Sequence, residues 1–560
     1  MSKIIVQATA TGEVLYCDDG LSFWGGVDPQ TGMVIDVHHP WHGRSITGKV
    51  LVMPTSRGSC SGSGVLLQLA LNGCAPAALV FCATEGVLTL GAIIASRIFG
   101  RHIAVVRLKR SDFAMLSDVH DMSITGFALH AGAIRFDLQS LDRNDLELTS
   151  ADRALLAGDD TNPMTLAMDV ICAMAVSLGA RHLTDVTRGH IDGCILAHQA
   201  NLIFAERMAE LGARVRIPTT INAISIDLIH ADAHDTPPKF RNAARRLAAA
   251  YVDMGARPTF TCAPYLLEDA PKLGEKLGWS ESNAVIFANS VLGAQTAKLP
   301  DYLDLFVAMT GRAPATEMYF EESRRPTLVL ECHVPARHDD SLWPMIGWIA
   351  GSMAADDVPL LTGLEHLAPT RDDLRALCAA FGTTSASPML HVAGITPEAH
   401  LGVLSDAPTA TIELADLRDA WQTLNAGPEQ VDLVAIGSPH ASLSEIERFC
   451  IALNGRCRHD DTEVIITVGR DILDQAGKMG LVKQLQSCRV QVMSDLCWCS
   501  ITEPVLPTTT RNLMTNSGKY AHYAPGLCGK TVRFGSVGDC VEAAISGKAI
   551  NGLPDWLVSN

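Results

Sequence analysis

Short β-branched runs that end at glycine, aspartate or proline alternate with apolar helical stretches along the chain. Before residue 145, helical periodicity predicts helices at 64–72 and 90–99. The strand-like runs of this part are EVLYCD, GMVIDV, GKVLVMPT, AALVFCA, HIAVVRL and AIRFDL. Such alternation favours an α/β fold in which helices cover sheets.

The pattern changes near residue 145, where LTSADRALLAG predicts a helix capped by Thr149 or Ser150. Longer helices such as TLAMDVICAMAVSLGA then alternate with strand-like runs such as ARVRIPTTINAISID and PTFTCAPYLL. Because 560 residues exceed what one hydrophobic core organises, several domains are expected. We predict a small β/α domain at 1–140 and a large multi-layer α/β region at 145–560 with about two or three subdomains.

Composition and charge exclude several classes of protein. A net charge of −17 without a Lys/Arg-rich run argues against a nucleic-acid partner. The N-terminal stretch has no apolar signal region, and the most apolar windows are interrupted by Glu85 and Arg97 or are too short for a bilayer. We therefore expect a cytoplasmic globular protein without a membrane partner.

The stretch PTSRGSCSGSGVLLQLALNG, residues 54–73, places serines and glycines directly before an apolar helix. Exposed N–H groups at the positive end of a helix favour an anion such as a carboxylate or phosphate. A Walker loop is excluded, because Gly64 is followed by Val65 and not by Lys and Ser/Thr. From the loop alone, an ordinary strand-to-helix turn is an equal alternative.

Polar clusters at predicted strand ends are the other candidate sites, since open α/β sheets bind ligands there. Each cluster taken singly has a structural explanation, such as a helix cap, a turn or a solvated charge. Together they are denser in Asn, Ser, His and Gly than connecting loops require. They lie at 188–193, 218–223, 281–296, 437–442, 495–499 and 514–526.

The 16 cysteines are scattered and include no C-x-x-C pair. In a reducing compartment most should be buried thiols, with a few as possible metal ligands. Cys262 follows a predicted β-run, and Cys497 and Cys499 close another; on a strand these last two would share one face. Thiolates from separated strands could share an iron–sulfur cluster, although no ferredoxin spacing occurs.

These motifs taken in order resemble one known family. Residues 54–73 followed by EGVLTLGAIIA are similar to the small swivelling domain of the aconitase superfamily. HIDG, PTTINA, TCAPYLL, ESNAVIFANSVLGAQT, HVAGITPEA, GSPHAS and TNSGKYAHYAPG resemble the large catalytic portion of the aconitase X family. The resemblance covers nearly the whole chain. It implies an aconitase-like fold and, because the small part comes first in one chain, the bacterial type that dehydrates cis-3-hydroxy-L-proline.

The resemblance also implies roles for particular residues. Ser59 falls where the family carries its serine base, whereas Ser61 stands at the usual arginine position, so Arg57 or loop N–H groups would bind the substrate carboxylate. The residues implied in substrate binding are Arg57, Ser61, Ser63, His190, Asp192, Asn222, Asn289, Ser290, Asn516, Ser517 and Lys519.

The implied cofactor is an iron–sulfur cluster, with [2Fe–2S] favoured for the single-chain type. Cys262 and Cys497 lie in motifs that resemble the family's. Ser438 stands where archaeal members often carry cysteine, so this chain needs either another thiolate or a different cluster. Cys499 is the first candidate for the third ligand, with Cys332 in reserve. The fusion of the small and large parts implies a monomer that acts on a small molecule.

Two other activities stay open from the sequence. One is dehydration of another small hydroxy acid such as mevalonate 5-phosphate, the substrate of the two-subunit archaeal members; its phosphate would need more cations than Arg57, Arg188 and Lys519. The other is a hydrolase with Ser59, Cys60 or Ser61 as nucleophile and His190 or His440 as base, although no G-x-S-x-G elbow occurs. A non-enzymatic iron–sulfur sensor is a further, weaker alternative.

Overall fold

The computed structural model describes residues 2–159, 161–230, 236–501 and 503–558. Its strands are β1 Lys3–Val6, β2 Ala10–Tyr16, β3 Val50–Val52, β4 Ala78–Phe81, β5 Ala104–Arg107, β6 Asp121–Thr125, β7 Ala128–Ala131, β8 Ile134–Asp137, β9 Gln139–Ser140, β10 Leu183–Asp185, β11 Arg188–Ile191, β12 Thr219–Ile221, β13 Leu277–Trp279, β14 Arg312–Pro314, β15 Leu328–Cys332, β16 Pro359–Thr362, β17 His391–Val392, β18 Thr409–Ile412, β19 Leu433–Ala441, β20 Glu463–Val468, β21 Gln491–Ser494, β22 Asn512–Thr515 and β23 Thr531–Phe534.

Its α-helices are α1 Gly62–Asn72, α2 Val87–Phe99, α3 Arg110–Ala114, α4 Ser150–Leu156, α5 Pro163–Leu178, α6 Gln199–Glu210, α7 Pro238–Asp253, α8 Ser282–Phe287, α9 Leu303–Thr310, α10 Glu321–Arg324, α11 Leu342–Ala354, α12 Arg371–Thr384, α13 Leu414–Leu424, α14 Leu443–Leu453, α15 Arg470–Lys478, α16 Leu481–Ser487, α17 Gly518–Cys528, α18 Val537–Ser546 and α19 Asp555–Val558.

The described residues form two compact units. Unit 1 comprises residues 1–219, 249–256 and 299–316. Its main sheet has the order β8-β7-β6-β2-β3-β4-β5-β1-β9. Strands β2 to β5 are parallel, and α1 and α2 connect β3 to β4 and β4 to β5. All four residues of β4 are buried, as expected for a strand of apolar residues with neighbours on both sides.

Unit 2 comprises residues 220–248, 257–298 and 317–560. It contains two parallel sheets, with the orders β17-β16-β15-β18 and β21-β20-β19-β22-β23. In the second sheet the chain proceeds from β19 to one side and later adds β22 on the other. The carboxyl ends of β19 and β22 therefore flank a topological switch point, where open α/β sheets bind ligands.

One predicted helix start is confirmed by hydrogen bonding, and a second helix is capped in the same way. The Thr149 side chain accepts the backbone N–H of Asp152, whose carboxylate in turn accepts the N–H of Thr149. Ser442 caps α14 by accepting the N–H of Glu445. Both caps satisfy N–H groups that lack intrahelical partners.

Three strand predictions were wrong in detail. GMVIDV forms only isolated bridges, Met33 with Ser45 and Val34 with Val27. PTFTCAPYLL is a loop followed by a 3-10 turn at Pro264–Leu266, because its prolines cannot donate to a ladder and Phe260 has φ 41°. The CWC segment follows β21 as a turn and does not continue the strand.

The predicted α/β class is confirmed by the parallel sheets and their helical connections. The division at residues 1–140 and 145–560 stays a prediction. Across the described residues, none of the helices has both the length and the apolar character that a bilayer crossing requires.

Candidate active site and cofactor-binding residues

Three cysteines meet in unit 2. Cys262 and Cys497 pack together with Ala223, and Cys499 packs against this group. A hydrogen bond with Cys262 raises the pKa of the Cys497 thiol, with burial acting in the same direction, and a hydrogen bond with Cys497 does the same for Cys499. The three thiols thus lie beside one another, as shared ligation of one group would require.

Cys332 lies elsewhere in unit 2. It ends β15, belongs to a different hydrophobic cluster, and its Sγ lies 3.7 Å from the Leu330 carbonyl oxygen. The structure therefore groups Cys499, and not the reserve candidate Cys332, with Cys262 and Cys497.

Turns and not strands present these thiols. The Cys497 carbonyl accepts the N–H groups of Ser500 at 2.8 Å and Ile501 at 3.1 Å, which closes the CWC turn. Asp495, just before the turn, has φ 70°, and its buried carboxylate accepts two hydrogen bonds from Arg470 at 2.6 and 2.7 Å. A tight turn can bring cysteines two residues apart to one point, so the sulfurs meet without a shared strand face.

His440 connects the two cysteine loops. Its Nε2 lies 2.5 Å from the Leu496 carbonyl oxygen and its Nδ1 3.2 Å from the Thr261 hydroxyl. A carbonyl only accepts, so Nε2 carries the proton and Nδ1 accepts from Thr261. Burial lowers the pKa of His440 to about 4. With both nitrogens engaged and no exposed surface, His440 is unsuited to act as the base of a hydrolase.

Beside the cysteines, Lys519 and Glu281 form a buried ion pair of 2.9 Å. Burial alone would raise the pKa of Glu281, but the Lys519 charge together with hydrogen bonds from Lys519 and Asn283 lowers that pKa. Glu281 also accepts from Asn222 Nδ2 at 3.2 Å and Asn283 Nδ2 at 2.5 Å. Lys519 and Asn222, both predicted from the sequence, therefore lie in one polar network.

Asn516 and Ser517 follow β22 at the switch point. Asn516 Nδ2 donates to Glu445 at 2.7 Å, and the Ser517 hydroxyl donates to the Ser438 carbonyl of β19. Within the part of the chain that the structure describes, the buried Ser438 hydroxyl has no hydrogen-bond partner. These residues line a small cavity between the ends of the two strands.

Asn289 and Ser290 have structural partners instead. Asn289 Nδ2 donates to the carbonyls of Thr296 and Pro388, both at 2.9 Å, and its Oδ1 accepts the Thr296 N–H at 2.9 Å. The Ser290 hydroxyl accepts the Leu390 N–H at 3.0 Å. Their predicted substrate contact stays a prediction.

The serine loop lies in unit 1, at the N-terminus of α1. Ser59 is half-buried, and its Oγ accepts the Ser61 N–H at 3.3 Å. Gly58 has φ 91°, and a Cβ there would lie 2.4 Å from the Ser22 hydroxyl, so only glycine fits. Ser63 is buried and donates to the Cys60 and Asp301 carbonyls, whereas Arg57 is half-exposed and pairs with Asp36 at 3.1 Å.

Unit 1 contains a second group of possible metal ligands. One ligand atom each from Cys60, Asp192 and Asp301 lies within 4.8 Å of the others, and all three residues are buried. The Asp192 N–H donates to Asp304 at 2.8 Å. His190, which was predicted alongside Asp192, is fully buried on β11.

Sequence reasoning did not single out Glu281 or Asp301. Glu281 begins the polar segment 281–296 and caps α8. Its position as an acidic residue just before a helix is the sequence feature that could have indicated it. Its partner Lys519 lies 238 residues away, which local patterns do not reveal.

Family models match nearly the whole chain in four consecutive parts. They are the Aconitase X swivel domain at residues 1–134, first domain at 145–322, second domain at 326–422 and third domain at 431–546. The chain belongs to the aconitase X family.

Two full-length relatives of this family member are cis-3-hydroxy-L-proline dehydratases. The protein of Pseudomonas aeruginosa is 44% identical over 573 residues, covering 99% of this chain and 98% of the relative. That of Hypocrea jecorina is 42% identical over 574 residues, covering 99% and 96%. The phosphomevalonate dehydratase large subunit of Methanothermobacter thermautotrophicus is 30% identical over 385 residues, covering 68% of this chain and 94% of the relative.

The structural comparison agrees with this aconitase X assignment. The crystal structure of Thermococcus kodakaraensis aconitase X in its holo form superimposes with a TM-score of 0.65 at 27% identity. It covers 71% of this chain and all of the archaeal chain.

Aconitase-type relatives imply an iron–sulfur cofactor, and the two donor groups differ in how well they suit it. Iron–sulfur clusters are held mainly by thiolates, which the Cys262, Cys497 and Cys499 group supplies. Cys60, Asp192 and Asp301 offer one thiol and two carboxylates, a set better suited to a single harder cation. The cysteine group fits an iron–sulfur cluster better.

Proposed function

We propose that this chain is a hydro-lyase that dehydrates cis-3-hydroxy-L-proline to 1-pyrroline-2-carboxylate. The observation that carries the proposal is the match over 99% of the chain to two cis-3-hydroxy-L-proline dehydratases at 42% and 44% identity. Both relatives unite the swivel and catalytic parts in one chain, as here. The phosphomevalonate dehydratase large subunit matches only 68% of the chain and at lower identity. Dehydration of mevalonate 5-phosphate is therefore the less favoured activity.

The reaction is a β-elimination. The Cα–H bond breaks and its proton passes to a base, the C3–O bond breaks, and the oxygen leaves as water after gaining a proton. The resulting enamine tautomerises to the cyclic imine. The base must be activated and the leaving oxygen stabilised, because a serine alkoxide and a hydroxide are both unfavourable in water.

Ser59 is the proposed base. It precedes the 11-residue helix α1, whose positive end favours negative charge on the serine oxygen and on a substrate carboxylate. The Ser61 N–H, 3.3 Å from Ser59 Oγ, is a donor that would stabilise the alkoxide. Loop N–H groups and Arg57 are proposed to bind the carboxylate.

Cys262, Cys497 and Cys499 are the proposed cluster ligands, with a [2Fe–2S] cluster as the proposed type. A cluster bound there supplies Lewis acidity toward the C3 hydroxyl. The chain's own residues contribute a dry site, since Cys262 is 1% and Cys497 3% exposed. We further propose a cytoplasmic monomer that binds a small molecule and no nucleic acid or membrane.

The substrate test uses anaerobically purified holoprotein and separate assays with cis-3-hydroxy-L-proline, trans-3-hydroxy-L-proline, the 4-hydroxy-L-prolines and mevalonate 5-phosphate. We expect a cyclic imine, detected by its adduct with 2-aminobenzaldehyde, from the cis-3 isomer alone. The 4-hydroxy isomers place the leaving group one carbon too far, and the trans-3 isomer places it on the wrong face. Turnover of mevalonate 5-phosphate without turnover of any hydroxyproline would refute the proposal.

A further inference from the structure

Lys519 is a buried cation held at the start of a helix. It is the second residue of α17, whose first turn is capped by Ser517 through the Tyr520 N–H at 3.1 Å. Its side chain is 8% exposed. An ammonium removed from water is costly unless anions compensate it, so its surroundings must carry negative charge.

Glu281 is the ion-pair partner of Lys519, and it is also bound to the Cys262 loop. Its Oε1 lies 2.9 Å from Lys519 Nζ and also accepts from Asn283 Nδ2. Asn283 Nδ2 in turn lies 3.1 Å from the Cys262 carbonyl oxygen, and Asn283 Oδ1 accepts from the Tyr265 hydroxyl. Glu281 is therefore fixed in position relative to Cys262.

A second contact fixes Lys519 relative to the CWC turn. Tyr520, the next residue, packs its ring on Trp498 with centroids 5.2 Å apart. Trp498 lies between Cys497 and Cys499, and its indole N–H donates to the Ile436 carbonyl at 2.8 Å. All three cysteine thiols act electrostatically on Lys519. The ion pair is thus linked to the cysteine group twice, through Asn283 on the Glu281 side and through Tyr520 on the Lys519 side.

We propose that Lys519 and Glu281 are positioning residues that set the electrostatic potential at the three-cysteine site, with Lys519 compensating the negative charge of the bound thiolates and Glu281 limiting that compensation. The inference rests on the cofactor site proposed above. It gives Lys519 a role different from the substrate contact predicted from the sequence.

The proposed role predicts opposite effects for the two partners. Reduction adds an electron to the cluster, so a nearby positive charge stabilises the reduced form and a nearby negative charge destabilises it. Lys519→Met should lower the midpoint potential and weaken cluster retention. Glu281→Gln should raise the potential, because the ammonium then acts on the thiolates without its counter-ion.

The experiment measures iron and sulfide content and the midpoint potential of full-length holoprotein, purified anaerobically, for wild type, Lys519→Met, Lys519→Arg and Glu281→Gln. Lys519→Arg keeps the charge and should stay near wild type. Glu398→Gln is the matched control: it neutralises one partner of another buried ion pair, with Arg324, and should leave the potential unchanged. If Lys519→Met loses its cluster entirely, the rise in midpoint potential expected for Glu281→Gln still tests the proposal.

Shifts of the same sign in both variants, or no shift, would overturn the inference. A substrate contact alone would raise KM for Lys519→Met without moving the potential, and this too would overturn it. If wild-type protein retains iron but the variants show no change in midpoint potential, only this inference is refuted. Wild-type protein that binds no iron would refute the proposed cofactor site as well.

Discussion

The backbone N–H of His440 donates a hydrogen bond to Cys262 Sγ at 3.3 Å. The side chain of the same histidine contacts Thr261 and Leu496, the residues that immediately precede Cys262 and Cys497. One residue at the end of β19 therefore holds both cysteine loops, which are separated by more than two hundred positions in the chain.

Replacing His440 should separate those loops. His440→Leu removes both side-chain hydrogen bonds and leaves the Leu496 carbonyl and the Thr261 hydroxyl buried without them, at a cost of about 1–3 kcal/mol for each such group. We expect a lower thermal midpoint and reduced iron content. His440→Gln, which keeps a donor and an acceptor, should recover part of both. Full iron content in His440→Leu would show that the loops hold their positions without it.

The iron content of Cys→Ser variants should identify the cysteines that bind the cluster. Cys262→Ser, Cys497→Ser and Cys499→Ser should each lose most of the iron and the visible spectrum, since a lost thiolate leaves the cluster under-coordinated. Cys332→Ser is the matched control and should retain both the iron and the spectrum, because its thiol lies in a separate hydrophobic core of unit 2. Cys60→Ser tests the second donor group: loss of iron there with retention in Cys262→Ser would move the cofactor to unit 1.

Ser59→Ala should abolish turnover while the cluster spectrum and the folded state persist. Loss of a general base costs about 10²- to 10⁴-fold in kcat, with little change in substrate binding. Ser56→Ala, on the same loop but hydrogen-bonded to Glu85, is the control and should change kcat by less than tenfold. Steady-state kinetics and the visible spectrum provide the readouts. Near-wild-type kcat in Ser59→Ala would show that another group is the base, with Ser61 the next residue to test.

Asn289→Ala should affect stability more than substrate binding. The change removes the donor to the Thr296 and Pro388 carbonyls and the acceptor of the Thr296 N–H, all buried groups. We expect a loss of about 1–3 kcal/mol in the free energy of unfolding, measured by denaturant titration, with KM unchanged. A several-fold rise in KM at unchanged stability would instead support the substrate contact predicted from the sequence.

Asp340 should make stability depend on pH. Burial raises its pKa to about 6, against the opposing effect of Arg448 and of the Val537 N–H. The folded state then binds more protons than the unfolded state between the ordinary aspartate pKa and about 6, so stability falls as pH rises through this range. Asp340→Asn should flatten that dependence and raise the thermal midpoint at pH 7.5 but not at pH 4. Parallel curves for both proteins would contradict the expectation.

Local sequence patterns determined the class of the fold and many of its elements. Alternating β-branched and helical segments led to the α/β prediction, and Thr149 marked a helix start because capping depends on residues within one turn. The motifs also identified Cys262 and Cys497 and favoured Cys499 over Cys332 for the third position, although the strands expected beside them are turns. There, prolines and a positive φ at Phe260 override the apolar pattern.

Tertiary structure alone decided which of these residues meet. Nothing local distinguishes Cys499 from Cys332 as a neighbour of Cys262, and the choice depends on how the CWC turn folds back after β21. The Glu281–Lys519 pair spans 238 positions, and His440 reaches Thr261 and Leu496 across 179 and 56. Parallel pairing brings the carboxyl ends of β19 and β22, beside which His440 and Lys519 lie, to one edge of a sheet. Loops from distant parts of the chain then pack against that edge, an arrangement of the topology that no short stretch of sequence contains.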